Sequence, residues 1–169
     1  ALFTGARAPG YVLAVLSDGI TGAAGADQVL HTARQVFDEF KPGDGADGER
    51  LARLLHEIIS ETHTVIKMNA IASKTEIQAS FVGLVLSPHG EAVWAHVGDS
   101  RLYRFEDGAC ALRTGDAAYV EHLILSDRLP PDAARNHRRS KLLLNALGNS
   151  RKEPFVTTGS HTGLKAGDS

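Results

Sequence analysis

The sequence predicts an α+β domain in which helices cover an antiparallel β-sheet. Residues 26–40 and 51–66 carry apolar side chains at helical spacing, so each segment is expected to form an amphipathic helix with one face to bury. Residues 79–113 are instead divided into short apolar or alternating segments joined by turn residues, which is typical of consecutive antiparallel strands. Two helices followed by strands, rather than alternating with them, indicate separate helical and sheet layers.

The composition is that of one globular domain. The chain has 169 residues, of which 43% are hydrophobic and 22% are charged, so one substantial core can form. A formal net charge of −2 gives no sign of the strongly basic face that nucleic-acid binding requires. No apolar run approaches the roughly 20 residues that span a bilayer. Neither nucleic acid nor a membrane is therefore expected as a partner, and the single cysteine, Cys110, fits a cytoplasmic location.

The first half of the chain is predicted to form one strand and the two helices. Residues 11–16 are apolar on both faces and lead directly to Asp18 and Gly19, which indicates a buried strand that ends beside a carboxylate and a glycine. A glycine-rich stretch follows before the helical period of residues 26–40 begins, and a Pro-Gly pair ends that helix. A glycine-rich loop then separates it from the second helix, residues 51–66.

The second half is predicted to contain an antiparallel meander, further helices and one more strand. Turn residues at 87–90 and 106–108 divide the meander, and the Glu-Asp-Gly turn is a strong hairpin signal. The predicted segments, in chain order, are strands at 79–86, 91–97, 101–105 and 109–113, helices at 117–126, from 130 onward and at 140–147, and a final strand beginning within 154–159.

Two aspartates stand where an apolar strand ends beside a glycine: Asp18 precedes Gly19, and Asp99 follows Gly98. Carboxylate and backbone carbonyl oxygens are the ligands that hard divalent cations prefer. Glycine has no side chain, so it lets a carbonyl approach such an ion closely. Asp18 and Gly19 therefore offer two oxygen ligands from adjacent positions. Asp-Gly pairs are also common in ordinary turns, and for one such pair taken alone a turn is the simpler interpretation.

Two strand ends carry extended motifs: residues 95–104 read AHVGDSRLYR, and residues 13–25 read LAVLSDGITGAAG. The first, which is the more specific, resembles the V-G-D-S-R strand–turn–strand of the metal-dependent protein serine/threonine phosphatases of the phosphatase 2C-like (PPM) family, bacterial type. The second resembles the A-x-A-D-G-x-G-G segment of the same family. The remaining matches, in family order, are residues 77–86 in the place of the M-G-T-T strand, residues 112–124 for L-T-R-D-H-S and its helix, and residues 142–148 for L-T-R-A-L-G.

This resemblance implies a four-layer αββα β-sandwich, in which two antiparallel sheets are flanked by helices and residues 1–169 form a single partial domain. It implies hydrolysis of phosphoserine or phosphothreonine in a phosphorylated protein substrate, by a water that bridges two Mn²⁺ or Mg²⁺ ions. Asp18 would bridge the ions, Gly19 would offer its carbonyl to one of them, and Asp99 would lie at a weaker third site. Asp18 and Asp99 are thus the expected catalytic residues. A regulatory protein partner or an attached kinase or sensor domain would be ordinary in bacterial signalling of this type.

Departures from the family pattern leave a second interpretation open. The family's N-terminal arginine and Asn-Glu-Asp, and its later S-D-G and D-N segments, have no counterpart here, so both ends are expected to be cut and the 169 residues alone to be nearly inactive. Within the chain, Gln78 replaces a glycine, Ala117 replaces a histidine, and residues 20–22 loosen a pair of glycines. These changes predict either a weakened phosphatase or a pseudophosphatase that acts as a protein-binding regulatory module.

Other polar groups have simpler interpretations. The basic run 135–141 could contact a phosphorylated substrate, but a solvated helix face is the simpler interpretation. His56 and His63 lack the spacing of a metal-binding pair and are expected at the surface. By strand alternation, His96 is expected to be packed or to lie next to the metal site. Cys110, on a predicted strand, is expected to be buried or half-buried.

Overall fold

The computed structural model describes residues 1–7, 10–42, 48–115, 124–126, 128, 130, 133, 145–165 and 167–169. Within these ranges the chain forms two helices and two antiparallel sheets. The elements, in chain order, are β1 (Leu2–Arg7), β2 (Tyr11–Leu16), α1 (Ala23–Glu39), α2 (Gly48–Ser73), β3 (Phe81–Leu86), β4 (Glu91–Val97), β5 (Tyr103–Glu106), β6 (Ala109–Arg113) and β7 (Thr157–Thr162).

The larger sheet contains five antiparallel strands in the order β1–β2–β3–β4–β7. The three central strands carry near-continuous apolar runs, and both faces of β3 and β4 are largely covered. The outer face of β2 is half-buried or exposed, and exposed residues alternate along β1 and β7. Leu16 of β2 pairs with Val82 of β3, and Phe81 of β3 pairs with Val97 of β4. The ends of β2 and β4 and the start of β3 therefore lie side by side at one edge of the sheet.

The two helices cover one face of this sheet, here called the inner face. α1 contacts β1 and β2, α2 contacts β3 and β4, and the helices also pack against each other. The apolar stripes predicted for the helices provide the buried residues, and burying each large side chain stabilises the fold by about 1.5–3 kcal/mol. The core includes Leu13, Val15, Val29, Phe37, Leu55, Ile58, Phe81, Val85 and Val97. Neither helix has the combination of length and hydropathy needed to traverse a bilayer, within the residues that the structure describes.

The smaller sheet, β5–β6, lies over the opposite, outer face. Residues of both sheets line an apolar cavity of about 230 Å³ between them, among them Leu84, Trp94, Leu102 and Tyr103. The α+β sandwich predicted from the sequence is confirmed, and so is the hairpin. The meander does not continue as one sheet, however, because the chain leaves the large sheet after β4 and forms β5 and β6 separately.

Among the described residues, one strand was not predicted, one predicted helix is wrong, and the second helix is longer than predicted. β1 was not predicted, because its side chains alternate between exposed and half-buried positions and give only a weak apolar pattern. The helix predicted over 140–147 is wrong in its described part, since residues 145–147 are not helical. Leu147 instead pairs with Ala79 through backbone hydrogen bonds of 2.9 and 3.2 Å. The predicted loop 43–48, except for the helical Gly48, lies outside the described residues. So do nearly all of the helices predicted at 117–126 and from 130, where a second helical layer was expected.

Candidate metal site at the edge of the large sheet

Asp18 and Asp99 lie at the same edge of the large sheet. Asp18 follows β2, Asp99 follows β4, and β3 lies between these two strands. Neighbouring strands are about 4.8 Å apart, so the two backbones are separated by about 10 Å. Both aspartates are exposed. We name this region the aspartate edge and define it as residues 17–19, 79–80 and 98–100.

The hydroxyl of Ser80 joins the two aspartate segments. It accepts a hydrogen bond of 3.1 Å from the backbone N–H of Asp18, and it lies 2.6 Å from the hydroxyl of Ser100. The Ser80 backbone N–H donates to the Asp18 carbonyl at 2.9 Å, and its carbonyl accepts a 2.7 Å bond from the hydroxyl of Ser17. Two consecutive hydrogen bonds place the Asp18 amide within about 6 Å of the Ser100 hydroxyl. The residue next to Asp99 is therefore tied to Asp18.

After Asp99 the chain crosses the outer face of β3. The turn is made at Gly98, whose φ of 98° is rarely adopted by residues with a side chain. Arg101 then lines a shallow groove together with residues of β2 and β3, including Leu16. The segment therefore runs from the end of β4 toward β2, the strand that ends at Asp18.

Gly19 lies in a tight turn that connects β2 to α1. It forms a backbone bridge with Ala79 at the start of β3. A side chain at position 19 would overlap the carbonyl oxygen of Gly22, one residue before α1 begins at Ala23. Glycine is therefore required here by local packing, independently of any metal. Because residue 19 has no side chain, none covers the backbone next to Asp18.

Gln78, which departs from the family pattern, supports the site through its backbone. Its carbonyl accepts a 2.9 Å hydrogen bond from Ile20, and its N–H donates to the hydroxyl of Thr21 at 2.9 Å. The side-chain amide donates to Glu76 at 2.8 Å. The loop that follows Asp18 is thus held to the start of β3 although the glycine is absent. The other internal departure, Ala117, lies outside the described residues.

The aspartate edge fits a divalent cation in part. Asp18 and Asp99 supply carboxylates and Gly19 supplies a backbone carbonyl, and these are oxygen ligands of the preferred kind. Hard cations take six or more ligands, and in the part of the chain that the structure describes no cluster of three or more His, Cys, Asp or Glu side chains could hold one. Asp18, Gly19 and Asp99 would hold ions only together with waters or further ligands, and their role stays a prediction.

Three side chains outside the aspartate edge test expectations drawn from the sequence, and two of these expectations are wrong. His96 is 5% exposed and its Nε2 lies 2.9 Å from the carbonyl of Gly115, so it is packed as predicted. His63 is only 3% exposed, and the prediction that it lies at the surface is wrong because the segment at Gly148 covers that side of α2. The prediction that Cys110 is packed is also wrong, since β6 is exposed along most of its length. The basic run 135–141 lies outside the described residues.

A groove of about 690 Å³ lies beside the aspartate edge. It runs between the end of α2 and the loop 148–151, and its lining includes Lys67, Ile71, Gln78 and Arg151. Gln78 also holds the loop after Asp18, so the groove adjoins the aspartate edge without containing either aspartate. The sequence prediction missed this groove, because it forms between segments that are distant in the chain.

Ser80 was also missed by the sequence prediction, although a polar residue at the entry of an apolar strand is a usable signal. Ser80→Ala is expected to destabilise the protein by about 1–3 kcal/mol, because the Asp18 N–H and the Ser100 hydroxyl lose a buried partner. Urea unfolding of the purified protein measures this change. Ser73→Ala is the matched control, since the exposed Ser73 hydroxyl bonds only within its own helix end, and it should change stability by less than about 0.5 kcal/mol. Equal effects of the two substitutions would contradict the assignment.

The chain is similar in sequence to a known protein over most of its length. No protein-family model matches. The chain is 30% identical over 165 residues, 92% of its length, to the serine/threonine protein phosphatase PstP of Mycobacterium tuberculosis. It spans 29% of the length of that relative. The similarity therefore concerns a portion of PstP and leaves the rest of that protein uncompared.

Solved structures of similar fold cover nearly the whole chain. The serine/threonine phosphatase of S. agalactiae superposes with a TM-score of 0.84 at 19% identity, over 99% of this chain and 69% of that one. The catalytic domain of PstP in complex with two manganese ions superposes with a TM-score of 0.70 at 22% identity, over 99% of this chain and 66% of that one. At these identities the likeness establishes the fold alone.

Proposed function

Because the chain belongs to the bacterial type of the phosphatase 2C-like (PPM) family of protein serine/threonine phosphatases, we propose that it forms part of a metal-dependent site that hydrolyses phosphoserine and phosphothreonine in proteins. The observation that carries the proposal is the aspartate edge. Its two aspartate segments are distant in sequence, yet the hydroxyl of Ser80 joins them. The phosphatase relatives support the reaction class.

In this proposal Asp18 and Gly19 hold the divalent ions, and Asp99 lies at a neighbouring ion. Divalent ions bound there would neutralise phosphoryl oxygens and lower the pKa of a water. Manganese is supported as the ion by the PstP catalytic domain of similar fold, whose structure contains two manganese ions. Both aspartates are exposed, so a phosphorylated side chain can approach this edge of the sheet from solvent.

In this proposal the neighbouring hydroxyls hold the two aspartate segments together and do not replace the water as nucleophile. The hydroxyls of Ser80 and Ser100 lie at the aspartate edge, but they are hydrogen-bonded to each other at 2.6 Å and Ser80 is completely buried. Cys110 lies on the hairpin rather than at the aspartate edge. These placements support direct attack by water, without a covalent intermediate on the protein.

The pseudophosphatase alternative has less support. It depended on Gln78 and Ala117, and the backbone of Gln78 still holds the loop that follows Asp18. The relatives are named as phosphatases, and this does not favour a purely regulatory role. The proposal therefore keeps a phosphorylated protein as the substrate. A regulatory partner or an attached domain stays a separate prediction.

The test is metal removal from the full-length gene product that contains this chain. With Mn²⁺ we expect hydrolysis of para-nitrophenyl phosphate and of a phosphothreonine peptide. Chelation by EDTA should lower both rates by at least about 100-fold, because the ions supply the charge neutralisation and the acidified water. Adding back excess Mn²⁺ should restore both rates. Turnover that persists in EDTA would refute the metal-dependent reaction, and Mn²⁺ binding without turnover would favour the pseudophosphatase.

A further inference from the structure

A row of backbone pairs links the aspartate edge to a buried histidine. Gly19 pairs with Ala79, and Ala79 pairs with Leu147 on its other side. The next residue, Gly148, donates its backbone N–H to Nδ1 of His63 at 3.0 Å, in a buried hydrogen bond. His63 therefore anchors Gly148 and, with it, the neighbouring Leu147 at one end of the row. Gly19, at the other end, lies next to Asp18.

This hydrogen bond determines where the proton of the imidazole lies. Nδ1 accepts from Gly148, so the neutral ring carries its hydrogen on Nε2. Nε2 lies 3.2 Å from the carboxylate of Glu153, without the alignment of a hydrogen bond, and Glu153 also pairs with Lys67 at 3.2 Å. Among the described residues, Glu153 and Lys67 are the charged groups that act on the ring. A second proton would put an N–H at Nδ1 directly against the N–H of Gly148, and the bond would be lost.

The surroundings favour the neutral ring. Burial lowers the pKa of His63 below its ordinary value of about 6.5, the Glu153 carboxylate opposes this change, and the Lys67 ammonium adds to it. Because the pKa is lower in the folded state than in the unfolded state, the stabilising contribution of His63 is complete above about pH 6.5. It is lost as the pH falls below that value and through the folded pKa.

We propose that His63 is a positioning residue of the aspartate edge: its neutral imidazole holds residues 147–148 against the start of β3, and this keeps the turn at Asp18 and Gly19 in the geometry that binds the metal. The inference depends on the proposed function only for the metal. The backbone coupling from His63 to Gly19 is a property of the fold and can be measured without metal.

The first experiment measures amide hydrogen exchange in the metal-free, full-length protein. His63→Leu removes the acceptor, so the Gly148 amide at pH 7.5 should exchange at least about tenfold faster than in the wild type. His63→Asn keeps a side-chain acceptor without a titrating group and should stay within about threefold of the wild type. Lowering the pH from 7.5 to 5.5 should reduce the protection factor of Gly148 in the wild type, but not in His63→Asn.

The second experiment measures Mn²⁺ affinity of the same proteins by calorimetry. At pH 7.5, His63→Leu should raise the Kd by about tenfold, while His63→Asn stays close to the wild type. The control is His56→Asn, because His56 is an exposed histidine of the same helix that contacts Thr158 instead of the Gly148 segment. This control should reproduce the wild-type Kd and its pH dependence.

The outcomes separate this inference from the proposed function. Unchanged Gly148 protection in His63→Leu, or the same loss of protection at pH 5.5 in His63→Asn as in the wild type, would overturn the inference. If His63→Leu does not fold, the comparison of wild type with His63→Asn across pH still decides it. Absence of Mn²⁺ binding by the wild type, together with the expected exchange results, would overturn the proposed function and support the coupling.

Discussion

Asp18→Ala in the full-length protein is expected to lower Mn²⁺-dependent hydrolysis of para-nitrophenyl phosphate by at least about 100-fold. Asp18 is a carboxylate that would hold the divalent ions in the proposed function, so its removal would take away ligand charge that they need. The loss should appear in kcat and in Mn²⁺ affinity together, since fewer ions are held and the remaining ones are less well placed. Asp99→Ala should have a smaller effect, because Asp99 is assigned to the weaker neighbouring ion.

The control for Asp18→Ala is Asp38→Ala. Asp38 is an exposed aspartate in the last turn of α1, a helix that begins just after the aspartate edge, so it lies at the far end of that helix. The Asp38→Ala substitution should leave turnover and Mn²⁺ affinity within about twofold of the wild type. Circular dichroism of both variants verifies that the fold is retained. A folded Asp18→Ala protein with wild-type turnover would remove Asp18 from the metal site.

Gly148→Ala is expected to lower the free energy of unfolding by at least about 3 kcal/mol. Gly148 has a φ of 79°, which costs an alanine about 1 kcal/mol. Its new Cβ would also overlap the carbonyl oxygen of Ile77 and a methyl group of Ile66. A backbone carbonyl cannot rotate away as a side chain does. Residues 147–148 would have to shift, and the bonds to Ala79 and His63 would weaken with them.

Gly163→Ala separates the backbone cost from the steric cost. Gly163 has a φ of 78°, nearly the same as that of Gly148, but nothing lies within 4 Å of an added Cβ. Gly163→Ala should therefore lower the free energy of unfolding by only about 1 kcal/mol. Urea unfolding of both variants measures the difference, and the excess at Gly148 is the cost of the overlap. Equal destabilisation would mean that residues 147–148 are not packed against α2 and residue 77 as described.

Much of the fold followed from local patterns in the sequence. The strands β2, β3 and β4, the two helices and the β5–β6 hairpin were predicted because each has several residues of clear periodicity and ends at turn residues. β1 was missed, because its half-buried pattern does not differ from that of a loop. The segment 145–147 was assigned to the end of a helix predicted to stop before Gly148, although tertiary pairing with Ala79 overrides any local helical preference.

Periodicity was enough to identify the helical and sheet layers and to place Asp18 and Asp99 at strand ends, because these properties depend on neighbours within a few positions. The position of the two aspartates at one edge, the linking role of Ser80 and the burial of His63 were decided by packing between distant segments. The bond from Asp18 to Ser80 joins residues 62 apart, and that from Gly148 to His63 joins residues 85 apart. Such contacts form only after strands pair and helices cover them, so periodicity could not indicate them, and only the family resemblance implied that the two aspartates share one metal site.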